Sequence, residues 1–91
     1  MTPISTDQLL ALIATVTGPI QPPLHADSPL VGHGSAVSSM TLVQICLQLE
    51  DEAIARGGSF DWTSERAMSQ LAGMFRSVAA LAGEFNRQLG A

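Results

Sequence analysis

The sequence predicts an all-α fold: a small four-helix bundle of three longer helices and one short one, with a long loop between helices 1 and 2. Apolar residues recur at helical spacing in separate stretches, capping residues bracket those stretches, and no segment shows the strict alternation of a half-buried strand. The chain has 91 residues, the length of one domain over 1–91 with no room for a second.

Ser5 to Val16 reads as the first helix. Ser5 and Gln8 have capping-box spacing, in which the serine side chain accepts from the N3 amide while the glutamine reaches back to the cap. Leu9, Ile13 and Val16 fall on one stripe, which Leu10 and Leu12 widen. Thr17-Gly18-Pro19 is a stop: a glycine past the last turn, then a proline that cannot continue a helix. Gly18 to Val37 holds four prolines and three glycines in 20 residues, so it is neither helix interior nor strand. Loops of that length are usually functional or disordered. Ile20, Leu24, Leu30 and Val31 are the side chains able to pin this one across the bundle.

Ser38 is the expected N-cap of the second helix. Met40, Val43, Leu47 and Ile54 recur at helical spacing, and Leu42, Ile45, Cys46 and Leu49 broaden the apolar face, which predicts a central helix. Glu50-Asp51-Glu52 follow, and Arg56-Gly57-Gly58 closes the segment. Phe60 and Trp62 lead to a short third helix, Ser64 to Gln70, with Thr63 as cap. Leu71, Met74, Phe75, Val78, Leu81, Ala82, Phe85 and Leu89 then form one stripe, read as a continuous fourth helix.

The composition narrows the function classes. Hydrophobic residues are 46% of the chain and charged residues 13%, which excludes global disorder. Four arginines, no lysine and eight acids give a net charge of −4, so the basic footprint of a nucleic-acid binder is missing and a basic partner surface is favoured instead. Cys46 is the single cysteine, which excludes an intrachain disulfide and a cysteine zinc cluster. No apolar run approaches a membrane span, and Met1-Thr2-Pro3 lacks the basic start of a signal peptide; the expectation is a cytoplasmic monomer.

The informative stretch is Leu30-Val31-Gly32-His33-Gly34-Ser35-Ala36-Val37-Ser38-Ser39-Met40, a long loop running into the central helix. With Leu42-Val43 and Leu49-Glu50 behind it, it resembles the modification loop and second helix of the acyl carrier protein family. The helix order, long first loop and short third helix extend the resemblance over nearly the whole chain. The Gly-x-Gly-Ser approach and Phe60-x-Trp62 are more like divergent, stand-alone bacterial carriers than the fatty-acid-synthesis type. The resemblance implies a non-catalytic carrier of acyl or aminoacyl groups in a lipid or secondary-metabolite pathway. Its Ser39 would carry a covalent 4′-phosphopantetheine arm, installed by a phosphopantetheinyl transferase. Acyl-activating or acyl-transferring enzymes would dock around Ser38, Met40, Thr41, Val43 and Glu50.

This sequence departs from the family at Ser38, where the family carries an aspartate. Serine caps a helix about as well, so the helix start survives and the charge is lost. Thr41, Gln44 and Gln48 likewise stand where the family's second helix carries acids. A second reading therefore stays open: an unmodified carrier-like helical module that acts as an interaction or scaffold domain.

Other chemistry has weaker support. Gly32-His33-Gly34-Ser35 lacks the preceding strand and lysine of a phosphate-binding loop. His33 or His25 with Ser39 lacks an oxyanion hole, and Asp27 is the one nearby orienting acid; two histidines in solvent is the ordinary reading. Cys46 reads as a buried small hydrophobe rather than a reactive thiol, and Trp62 as a partly buried cap. Met40, Met68 and Met74 read as core or groove filling. Small residues Ala72, Gly73, Ala79, Ala82 and Gly83 either permit close packing or leave space for an apolar chain.

Overall fold

Three amphipathic helices carry the described part of the structure, a computed structural model that describes residues 3–18, 24–30, 37–65 and 73–90, without the side chain of Ser39. They are α1 (Thr6–Thr17), α2 (Ser39–Ala55) and α3 (Val78–Leu89), and no strand is present among the described residues. The all-α expectation holds. Of the short helix expected at 64–70, Ser64 and Glu65 are described and only Glu65 is helical; 66–70 lie outside the described residues, as do Ile20, Val31, Met68, Leu71 and Ala72.

The first helix follows its local chemistry. Ser5, in extended backbone, accepts from the Gln8 amide at 3.0 Å, and the Gln8 side chain accepts from the Ser5 amide at 2.9 Å. This reciprocal box satisfies two end groups that the helix itself cannot. At the other end Gly18, at φ +73°, donates back to the Ala14 carbonyl, a backbone state that favours glycine. Leu9 and Ile13 are fully buried, while Leu10, Leu12 and Val16 flank them half-exposed.

In α2 the inward face differs from the expected one. Ile45, Cys46, Leu49 and Ala53 are buried and Leu42 packs against the core. Met40, Val43, Leu47 and Ile54, the residues whose spacing marked the helix, are instead 75%, 43%, 49% and 69% exposed. The helix is apolar on two faces, and the core sits on the one turned toward α1. α1, not α2, takes the middle position, since it packs against both α2 and α3. The α2 chain leaves through Arg56 and Gly57, the latter at φ +87°.

The continuous fourth helix is also corrected. Gly73 and Met74 are helical, but Ser77 is extended at φ −161° and its hydroxyl accepts from the Ala80 amide at 3.0 Å. A serine cap therefore starts α3 afresh at Val78. Met74 and Phe75 are buried from the turn before it, so the apolar stripe carries on across a break in the backbone. Val78, Leu81, Ala82, Phe85 and Leu89 form the buried face of α3.

Long-range hydrogen bonds fasten the bundle, among them two that involve α3 and the segments before α1 and α2. The Asn86 side chain accepts from the Ile4 amide at 2.7 Å and donates to the Ile4 carbonyl at 2.9 Å. Nearer the other end of α3, the 24–30 segment of the long loop docks on the start of that helix. There the Leu30 amide donates to Phe75 O and the Ala79 amide to Ala26 O. Leu30 is 1% exposed, so it does pin the loop as expected, with Leu24 half-buried beside it. The Cα radius of gyration is 12.1 Å, close to the roughly 12 Å expected of a packed domain this size.

Candidate functional site

The start of α2 is built by Ser38. Its hydroxyl accepts from the Thr41 amide at 3.1 Å and lies 2.9 Å from the Thr41 hydroxyl, while its carbonyl takes the Leu42 amide. The cap expected from the sequence is thus in place, with serine performing it without charge. Ser39 follows as the first residue of a 17-residue helix. Its side chain lies outside the described residues, as does the stretch 31–36, including Gly32, His33, Gly34 and Ser35. Helix geometry leaves the N1 and N2 amides without an acceptor inside the helix, and the dipole turns its positive end toward them. The first turn of α2 holds no acid to use that potential.

The expected docking residues divide by environment. Met40 and Val43 stand out from the surface, whereas Thr41 is half-buried and held by the cap. Glu50 is half-buried and accepts a 2.7 Å hydrogen bond from the Trp62 indole. Glu52 pairs with Arg56 one turn on, and the Arg56 guanidinium also donates to the Pro3 carbonyl. Of the acidic trio, Asp51 is the member exposed to solvent. The structure therefore sets Met40 and Val43 on one exposed stripe and commits Glu50 to an internal contact.

Cys46 is buried, and burial, with the neighbouring Glu50 carboxylate adding, pushes its thiol up to about 12. At neutral pH it is a protonated small hydrophobe, which removes it as a nucleophile. His25 is exposed; its Nδ1 accepts from the Asp27 amide at 3.2 Å, and its backbone is tied to the buried Ser28. Both residues serve the turn that docks on α3.

The small residues of the last segment separate likewise. Ala82 is in the core, whereas side-chain positions at Gly73 and Gly83 would face open space. They line a shallow surface groove of about 1030 Å³ with Met74, Arg76, Ala79 and Ala80. Among the described residues no cluster of His, Cys, Asp or Glu is arranged to hold a metal ion, and no helix is long and apolar enough to cross a membrane.

Compared with family models, with curated proteins and with solved structures, the chain gives no match in any of the three. Two features of the site were invisible in the sequence. The Trp62–Glu50 bond spans a turn with no motif to announce it. The outward direction of the Met40 stripe could have been suspected only from α2 being apolar on two faces.

Proposed function

We propose that this chain is a carrier protein that holds an acyl or aminoacyl group as a thioester on a 4′-phosphopantetheine arm attached to Ser39. The observation that carries the reading is the serine-capped start of α2. It sets Ser39 at N1 of a long helix, immediately after a cap whose own hydroxyl is occupied by Thr41. A phosphodiester on an N1 hydroxyl would lie in the favourable field of the helix end, with no neighbouring acid in the first turn to repel it.

The resemblance to acyl carrier proteins supports the same residue and implies the partners. A phosphopantetheinyl transferase loads the arm, and acyl-activating or acyl-transferring enzymes charge and discharge it. The chain itself does no catalysis, and a single cytoplasmic copy docks each enzyme through Met40, Val43 and the residues around the cap. When bound, the arm supplies the terminal thiol that forms the thioester; Ser38 keeps the helix start in place.

Intact mass after co-expression with a broad-specificity transferase tests this. The expected result is a gain of one phosphopantetheine that disappears in Ser39→Ala. No gain with several transferases, or a gain at Ser38 or Ser35, overturns the assignment. The first of those outcomes favours the alternative, an unmodified interaction or scaffold module, for which Ser38 in place of the family's aspartate is the motivating observation.

A further inference from the structure

All four large hydrophobic side chains found exposed among the described residues, Met40, Val43, Leu47 and Ile54, belong to α2. At 100° per residue they lie within about 60° of arc, on a seam about 21 Å long. Met40 and Ile54 are each seven residues from Leu47, so these three are symmetric about Leu47, while Val43 has Asp51 as its counterpart position. An antiparallel copy of the same helix centred on Leu47 would therefore set Leu47 on Leu47 and Met40 on Ile54. This is the self-complementary arrangement a two-fold contact requires.

The polar residues beside the seam follow that symmetry to within one residue, Gln44 lying three positions before Leu47 and Asp51 four after it. Gln44 and Asp51 are exposed and share one edge of it, again seven residues apart. In the antiparallel pair each Gln44 amide meets the Asp51 carboxylate of the other copy. Glu50 is bonded to Trp62 and Glu52 to Arg56, while Asp51 makes no ion pair among the described residues. The first turn of α2 has no acid, while its C-cap residue is Arg56.

We infer that the Met40–Val43–Leu47–Ile54 face pairs with the same face of a second copy of this chain, antiparallel and centred on Leu47. The inference rests on the fold alone, independently of modification at Ser39, and it replaces the monomer expected from the sequence for the unbound protein. So short a seam belongs with small, weak interfaces, with a dissociation constant on the order of 0.1–1 mM. The same face cannot serve a docked enzyme and a second copy at once, so the two associations compete.

Sedimentation equilibrium from about 20 µM to 2 mM, a range chosen to bracket that weak association, reads the outcome. The expected mass rises with concentration from one copy of 9.5 kDa toward two. Leu47→Glu and Ile54→Glu, both at exposed positions, should stay at one copy with unchanged far-UV circular dichroism. Gln44→Lys, which sets an ammonium against Asp51 of the other copy, should tighten pairing several-fold. A single-copy mass throughout would overturn the inference. Pairing that survives both glutamate variants, or that Gln44→Lys leaves unchanged or weakens, overturns it as well.

Discussion

Trp62 and Glu50, twelve residues apart, are joined by a 2.7 Å hydrogen bond from the indole Nε1 to a carboxylate oxygen. Both side chains are half-buried, so the bond couples the segment after α2 back onto that helix where solvent screens it only in part. It also gives the chain's one tryptophan a fixed and polar neighbour.

Trp62→Phe keeps most of the ring and deletes the donor. It should destabilise the fold by about 1–2 kcal/mol, the usual cost of a lost bond to a charged acceptor that remains partly buried. Glu50→Gln, which still offers an amide oxygen, should cost less than Glu50→Ala. Urea denaturation followed by circular dichroism measures all three; equal costs for the two Glu50 variants would deny the bond any part in stability.

Asn86 satisfies both backbone groups of Ile4 with one side chain. Asn86→Ala removes two partners and should cost about 2–3 kcal/mol. Asn86→Asp keeps an acceptor for the Ile4 amide and loses the donor to its carbonyl, so it should fall between. The Ile4 amide should exchange with solvent markedly faster in Asn86→Ala, and unchanged protection there would contradict the clamp.

Cys46 sets a pH limit with a definite sign. The folded state raises the thiol pKa to about 12 from an ordinary 9.0, burial being the larger cause and Glu50 the lesser. The native protein thus holds this proton more tightly than the unfolded chain. That contribution is complete below about pH 9 and is lost as the pH rises toward 12. Thermal unfolding between these values should show a fall in stability that Cys46→Ala lacks, whatever its baseline. At neutral pH a maleimide should label Cys46 slowly in the native protein and rapidly in urea.

The two apolar faces of α2 should answer mutation differently. Leu49→Ala and Ile45→Ala open space in a filled core and should cost about 2–5 kcal/mol. Met40→Ala and Ile54→Ala remove side chains already mostly in water and should stay within about 0.5 kcal/mol. Chemical denaturation at concentrations well below self-association makes the comparison clean. Comparable losses on both faces would place the core elsewhere.

The contrast shows what the sequence made legible. Local chemistry was readable wherever a side chain answers its own backbone: the Ser5–Gln8 box, the Gly18 stop and the Ser38 cap all stand as expected. Periodicity located α2 but not its inward side, because spacing reports that a face is apolar and not which neighbour covers it. Leu9 and Ile13 on α1 decide that, and they are more than thirty residues away along the chain. The Ser77 cap was hidden for the opposite reason: buried Met74 and Phe75 continue the α3 stripe through a turn, so the pattern crosses a break that it cannot register. At the candidate site the sequence places Ser39 at the helix start. It gives no sign that Glu50 is held by Trp62 or that Met40 and Val43 belong to a longer exposed seam.

The bond from the Ala79 amide to the Ala26 carbonyl has a consequence for how this domain can be re-engineered. A segment that reads as a mere connector supplies the acceptor for one of the orphan donors in the first turn of α3, a role usually left to a neighbouring side chain. The connector and the last helix are therefore tied backbone to backbone, although some fifty residues separate them. A splice between Ala26 and Leu30 would disturb that acceptor and leave the Ser77 cap to hold the start of α3 without it.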